Sequence, residues 1–142
     1  MKRVLSLFLV VALMVSGTTA FASERRASYY FDSYALVIGP LGGQEMGVSF
    51  GVFGTGKMDV IGVYSLRIEE EVSDNVWITS FTVYGEDDPE TFFSEDAYEH
   101  VGSFTFTGLP DVKYRAVLVG YAEDESGYEY SREVTCVGKV CE

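Results

Sequence analysis

A period-two alternation of hydrophobic and polar residues runs through most of this 142-residue chain. Met46, Val48, Phe50 and Val52, for example, recur at every second position. Successive side chains of a strand point to opposite faces of its sheet, so each such run predicts a half-buried strand. No long helical period occurs in this part of the chain, which argues against a helical bundle.

The alternation predicts seven strands, at 29–38, 46–53, 64–69, 77–84, 103–107, 114–119 and 128–136. Turn residues separate them at fairly regular spacing, which is typical of an all-β, two-layer antiparallel β-sandwich. The large apolar residues expected to face its core include Phe50, Leu66, Phe106 and Leu118. Between the fourth and fifth strands, Asp88 and Pro89 could begin a helix over 89–100, and an irregular connection is the alternative.

The first residues contain the three parts of a secretory signal peptide, in order. Two basic residues precede an apolar run at 4–15, which is too short to span a membrane, and Ala22 ends a small-residue cleavage pattern. We therefore predict that residues 1–22 are a cleaved signal peptide. Residues 23–142 would then be a single secreted domain without a stable membrane anchor.

The charge of the chain excludes one class of partner. The sequence has 22 Asp and Glu against 10 Lys and Arg, a net charge of −12. Nucleic-acid binding needs basic side chains to neutralise phosphates, so this function is excluded. We expect a monomer whose partner is an extracellular protein or a glycan.

Cys136 and Cys141 are the two cysteines of the chain, and both lie in its C-terminal tail. Outside the cytoplasm, a disulfide is the first interpretation of such a pair. A two-residue turn at 138–139 would make them a close cross-strand pair in a hairpin, within disulfide range. Redox and metal-binding interpretations fit the spacing less well, because it is not Cys-x-x-Cys.

Two patterns that could carry catalysis have simpler interpretations. Residues 51–57 match the start of a phosphate-binding loop, but Met58 replaces the required Ser or Thr and a strand is predicted to follow. His100 is the single histidine and has no marked nucleophile or acid beside it, so we expect a structural role. No catalytic residues are predicted, and a small secreted hydrolase with paired carboxylates is the alternative.

The segment Gly108-Leu-Pro-Asp-Val-Lys-Tyr114 resembles the tyrosine corner of fibronectin type III and immunoglobulin-like sandwiches. In those families the tyrosine ring is buried and its hydroxyl is hydrogen-bonded to upstream backbone. The resemblance implies that Tyr114 has this role and that the strands after it form the last hairpin of the sandwich.

The chain after the signal peptide also resembles a set of small secreted bacterial proteins of unknown function. The stretches that carry this resemblance are 26–34, 54–62 and 114–117. The resemblance implies a secreted all-β domain. It brings no activity and no catalytic residues, so it leaves the function open.

Acidic loops are expected to meet at one end of the sandwich, as the corresponding connections do in a fibronectin-like topology. These loops are 54–59, 86–99 and 123–127. Converging carboxylates could bind calcium, and Asp87, Asp88 and Asp124 are the candidate ligands. Solvated loop charge is the alternative, because no Asp-x-Asp-x-Asp pattern occurs, and no other cofactor is expected.

The outer face of the last predicted hairpin is another candidate site. Tyr121 shares a strand face with Arg115, and Tyr128 or Tyr130 could join it from the neighbouring strand. Exposed Tyr and Arg are enriched in binding interfaces, although Tyr also simply favours strands. We therefore predict a secreted non-enzymatic binding module, with a carbohydrate-binding or calcium-binding accessory domain as the alternative.

Overall fold

The computed structural model describes residues 28–142, so the predicted signal peptide lies outside the described residues. The strands are β1 (Phe31–Gly42), β2 (Glu45–Ser73), β3 (Val76–Tyr84), β4 (Phe93–Thr107), β5 (Lys113–Asp124), β6 (Gly127–Tyr130), β7 (Val134–Thr135) and β8 (Lys139–Val140). A 3-10 turn (Gly85–Asp87) and the short helix α1 (Pro89–Phe92) connect β3 to β4. All strand pairs are antiparallel, which confirms the all-β prediction.

Strand β2 is 29 residues long and pairs with four other strands. Its first half, 45–54, lies between β1 and β4. Its second half pairs with β5 on one edge, and with the start of β4 and then β3 on the other edge. The sheet therefore folds back on itself as two layers. The first layer contains β1, the first half of β2 and most of β4, and the second layer contains the second half of β2, the start of β4, β3 and β5–β8.

The two layers enclose one hydrophobic core. Across it, Phe81 of β3 packs edge-on against Phe106 of β4 with ring centroids 5.4 Å apart, although these strands do not pair. The fully buried side chains come mainly from β2 and β5, and the largest include Phe50, Met46, Ile61, Leu66, Ile68 and Leu118. Burying side chains of this size stabilises a domain by roughly 1.5–3 kcal/mol each. Of the predicted core positions, Phe50, Leu66 and Leu118 are buried, and Phe106 is partly buried and packs against the core.

Residues 28–142 contain eight strands, where seven were predicted for the chain. The predicted break at 54–57 is extended backbone, because Gly54 and Gly56 do not adopt a positive φ and Thr55 N–H donates to Tyr30 O at 2.9 Å. The second and third predicted strands are therefore one strand, β2. The last predicted strand divides at Ser131, whose hydroxyl accepts the Gly120 N–H at 2.7 Å, and β8 is additional.

Segment 89–100, for which a helix and an irregular connection were the alternatives, is a short helix followed by a strand. Only α1, four residues long with Pro89 at its start, is helical, and β4 begins at Phe93. His100 Nε2–H donates to the Thr91 carbonyl at 2.8 Å, and its Nδ1 accepts from the Ser94 hydroxyl at 2.9 Å. The buried, neutral imidazole thus ties α1 to β4. None of the helical segments within residues 28–142 is long and apolar enough to cross a membrane.

Tyr114 has the environment that the sequence implied. Its ring is buried, and its hydroxyl accepts the backbone N–H of Leu109 at 2.9 Å. Phe106 packs edge-on against the ring at 5.4 Å, and Cys141 lies close to it beside Gly108. This contact fixes the chain reversal between β4 and β5.

The predicted C-terminal hairpin is wrong. Strand β7 pairs with Val117 and Leu118, and β8 pairs with Lys113 and Tyr114, so the tail runs along β5 instead of turning back on itself. The open edge of β5 offers the tail more backbone partners than a two-residue turn would.

The same pairing separates the two cysteines. Cys136 N–H donates to Ala116 O on β5, and Cys141 N–H donates to Val112 O just before β5. These two acceptors are four residues apart, or about 13 Å along extended backbone. Both are free cysteines in this structure, and burial raises the pKa of the Cys136 thiol. A disulfide between them stays a prediction that would require the tail to leave β5.

We expect Tyr114→Phe to lower the free energy of unfolding by about 1 kcal/mol, because the Leu109 N–H loses its acceptor while the ring still fills the core. Urea denaturation followed by circular dichroism measures this change. The control is Tyr29→Phe, at a side chain that is 88% exposed, which should change stability by less than about 0.5 kcal/mol. An equal effect of the two substitutions would contradict the role of the hydroxyl.

We also expect His100 to make the fold acid-sensitive. Burial lowers its pKa below the ordinary value of 6.5, so the unfolded chain binds a proton that the folded chain does not. Stability should fall as the pH decreases from 6.5, by at most about 1.4 kcal/mol per pH unit. His100→Gln should be less stable at neutral pH but should lack this component of the slope between pH 6.5 and 5. Parallel slopes for the two proteins would contradict the assignment.

Candidate functional site

Six aromatic side chains form a continuous surface on the outer side of the second layer, which we call the tyrosine face. Its members are Tyr64, Tyr84, Phe93, Tyr121, Tyr128 and Tyr130. They come from five strands, since β3, β4, β5 and β6 all present a ring beside β2. Tyr84, Tyr128 and Tyr130 are exposed, and the other three are half-buried.

The strand register explains why these rings meet. Gly62 of β2 is paired with Phe93 of β4 on one side and with Tyr121 of β5 on the other, and Tyr121 is paired with Tyr130 of β6. These four residues form one row across the sheet. The adjacent row consists of Glu95, Val60, Glu123 and Tyr128.

The rings are in direct contact with one another. Tyr130 packs edge-on against Tyr64 at 4.9 Å between centroids, and it lies 5.2 Å from Tyr121 and 5.7 Å from Tyr128. Tyr121 also stacks on Tyr128 at 6.0 Å and meets Phe93 edge-on at 6.2 Å. Aromatic pairs in this range contribute about 0.5–1.5 kcal/mol each, so the face is a pre-arranged surface.

A β-bulge places Tyr64 on this outer side. The register of β2 against β5 shifts between Val63 and Ser65, and both Val63 and Leu66 are buried. Two residues, Tyr64 and Ser65, therefore lie between the inward-facing Val63 and Leu66. Tyr64 points outward, whereas regular alternation would put it on the same face as Leu66. An uninterrupted alternation puts Tyr64 with Leu66, which is why the sequence did not identify it as a site residue.

Glycine at position 62 is required by close approach. A Cβ built there would overlap the carbonyl oxygen of Phe92 and lie 2.8 Å from the Cα of Phe93. The absence of a side chain lets the end of α1 rest against β2, which sets Phe93 beside Tyr121.

The hydroxyl of Tyr121 has an acidic partner on its own strand. Its hydroxyl donates to a carboxylate oxygen of Glu123 at 2.7 Å. Burial and this hydrogen bond both raise the pKa of Tyr121 well above its ordinary value, so the phenol stays protonated. The second carboxylate oxygen of Glu123 is left for another partner.

Arg115 lies apart from the tyrosines, although the sequence placed it in the same candidate site. It is six residues from Tyr121 along β5, or about 20 Å. Its Nε donates to the nearly buried Glu69 at 2.8 Å, and its guanidinium stacks on Trp77 at 4.3 Å. Glu69 also contacts Arg67, which is paired with Glu133 at 2.8 Å. Arg115 therefore belongs to an ion ladder that joins β2, β3 and β5.

The candidate calcium ligands are not brought together as a binding group. Asp87 is in the 3-10 turn, Asp88 precedes α1, and Asp124 accepts hydrogen bonds from the Tyr30 hydroxyl at 3.1 Å and the Ser126 N–H at 2.8 Å. Across residues 28–142, no group of three or more His, Cys, Asp or Glu side chains is arranged to hold a metal ion. Calcium binding stays a prediction.

Tyr121, Tyr128 and Tyr130 are brought together as expected, whereas Tyr64, Tyr84 and Phe93 were missed. Strand β3 ends at Tyr84 and strand β4 begins at Phe93, and both pair with the same edge of β2. The two rings meet the other tyrosines only because of these pairings, which join residues far apart in sequence. The spacing of the aromatic residues in the sequence does not indicate that these rings meet.

Comparison with protein-family models and with curated proteins finds no match for this chain. Among solved structures, the chain is similar to the crystal structure of Spo0M, a sporulation control protein from Bacillus subtilis, with 14% sequence identity and a TM-score of 0.40. The similarity covers 78% of this chain and 49% of Spo0M, so the chain spans about half the length of that protein.

We expect Gly62→Ala to lower the free energy of unfolding by about 1–3 kcal/mol, because the added methyl group displaces the backbone of Phe92 and Phe93. The matched control on the same strand is Gly56→Ala, where a Cβ meets nothing within 4 Å. Urea denaturation measures stability, and a change in near-ultraviolet circular dichroism reports the displaced rings. A Gly62 variant as stable as the Gly56 variant would contradict this packing.

Proposed function

We propose that this chain is a secreted, non-enzymatic binding module and that the tyrosine face is its binding surface. The observation that carries the proposal is the contact network of six rings, three of them exposed, on one side of a single sheet layer. Tyrosine offers a large contact area at low cost in side-chain entropy, and it is enriched where proteins bind their ligands. The signal-peptide pattern of residues 1–22 supports a role outside the cytoplasm.

We further propose that the fold is a variant of the fibronectin type III and immunoglobulin-like sandwich. The buried Tyr114 ring with its bond to Leu109 supports this, because it is the local hallmark of those folds. The two-layer antiparallel arrangement is consistent with it. The variant differs in that β2 passes through both layers.

The one histidine–serine contact supports a non-enzymatic role. His100 Nδ1 is bonded to Ser94, but the imidazole is buried and its other nitrogen donates to the Thr91 carbonyl. A general base needs access to a reacting group and an orienting acid. The pair instead holds α1 against β4.

The experiment is a binding screen of the purified protein against neutral oligosaccharides, basic peptides and acidic peptides. We expect the double variant Tyr128→Ala/Tyr130→Ala to lose at least about tenfold in affinity for the ligand class that binds, as interface tyrosines commonly do. The matched control is Tyr29→Ala/Tyr98→Ala, which removes two exposed rings outside the face, 88% and 65% exposed. Equal affinities for the two variants, or no binding of any class at millimolar ligand, would contradict the proposal.

A further inference from the structure

A cavity of about 430 Å³ adjoins the tyrosine face where α1 meets β2 and β4. Its lining residues are Val60, Pro89, Glu90, Phe93 and Glu95. Val60 and Phe93 belong to the two rows that carry four of the six rings of the tyrosine face, so the cavity and the face are one continuous surface. The cavity thus combines apolar and aromatic walls with two carboxylates.

The charged side chains that line this cavity, Glu90 and Glu95, are both acidic. Glu95 and Glu123 flank Val60 in one row of the sheet, and Glu90 is on α1. Within residues 28–142, none of these three carboxylates takes part in an ion pair. Lys57, three residues before Val60 on β2, already pairs with Asp96 at 2.9 Å. Arg67 belongs to the ion ladder farther along the layer, where it pairs with Glu69 and Glu133.

Aromatic rings and carboxylates together favour one ligand chemistry. The face of a tyrosine ring attracts a cation with about 0.5–2 kcal/mol, and a carboxylate adds a charge-assisted hydrogen bond. An anionic ligand would be repelled by the same groups. A neutral sugar could stack on the rings but would gain no attraction from the negative charge of the carboxylates.

We propose that the cavity and the adjoining tyrosine face bind a lysine or arginine side chain of a basic partner polypeptide. This inference rests on the proposed function and names its ligand class. The aliphatic stem of the side chain would lie against Val60 and Phe93, and its charged end would meet Glu90 and Glu95. The net charge of −12 would steer such a partner toward the chain.

The extent of the face favours a polypeptide over a free small cation. The two aromatic and acidic rows cross four strands, which are about 4.8 Å apart, so the surface is about 15 Å wide. A single small cation would occupy the cavity and leave Tyr128 and Tyr130 uncovered. A peptide whose basic side chain enters the cavity can also pack against these exposed rings.

The experiment titrates the isotope-labelled protein with a short capped peptide of alternating glycine and arginine, followed by nuclear magnetic resonance. We expect chemical-shift changes at Phe93, Glu95 and Tyr121. We expect Glu90→Gln/Glu95→Gln to weaken binding by about tenfold, because the exposed side chains keep their shape and lose their charge. The control Glu45→Gln/Glu99→Gln removes two exposed charges from the first layer and should weaken binding less than about twofold.

Three results would overturn the inference. They are equal weakening by the two double variants, shift changes located away from the cavity, and binding of the matching glycine–glutamine peptide with the same affinity. Arginine amide is titrated as a separate arm, and an affinity equal to that of the peptide would overturn the assignment to a polypeptide. If circular dichroism shows that the cavity variant is misfolded, the native protein must instead lose affinity as salt is raised, and salt-independent binding would overturn the inference.

Failure of the inference is distinguishable from failure of the proposed function. If a neutral oligosaccharide binds and Tyr128→Ala/Tyr130→Ala abolishes that binding, the tyrosine face is a binding surface with a different ligand. If no ligand depends on these rings, the proposed function itself is wrong.

Discussion

The hydrogen bonding of β2 along both of its edges is the constraint on which the rest of the structure depends. One strand of 29 residues supplies the centre of each layer, so β1, β3, β4 and β5 all rely on it for backbone partners. It also contributes buried side chains to the core from both halves, between Met46 and Ile68. At Gly54 a Cβ would lie 2.9 Å from the Gly56 carbonyl oxygen and 3.1 Å from the Tyr98 carbonyl oxygen, so the absence of a side chain lets β2 cross between the layers there.

The candidate site follows from two local departures of β2 from regular pleating. The bulge near Ser65 rotates Tyr64 to the outer side, and the bare backbone at Gly62 admits Phe93 from the edge. Rings from five strands then meet over a region where the ionisable side chains are acidic. Farther along the same face, Glu69 forms ion pairs with both Arg67 and Arg115, and the Arg115 guanidinium lies over the ring of Trp77. The layer thus has one end whose charges are balanced internally and one end whose carboxylates are available.

Sequence reasoning predicted the all-β class and three of the six rings of the candidate site, but not the other three. Phe50 and Leu118 were assigned to the core because simple alternation holds around them. Tyr64 was misplaced because a bulge shifts the period by one residue, and no local residue type marks that bulge. Arg115 was assigned to the same candidate site as Tyr121 because the two share a strand face. They lie apart because six residues of β5 separate them and because Arg115 forms an ion pair with Glu69. The prediction of a hairpin in the C-terminal tail was wrong because the tail forms its backbone hydrogen bonds with the open edge of β5 and not with itself.

The sequence by itself determined the class of structure, the identity of the core and the excess of negative charge. These properties follow from composition and from a period of two, both of which are local and additive along the chain. The tertiary structure decided that β2 serves both layers, that Phe93 and Tyr84 join three tyrosines from β5 and β6, and that the cysteines lie apart. Such outcomes depend on which edges compete for backbone hydrogen bonds over long sequence separations, and no single segment encodes that competition.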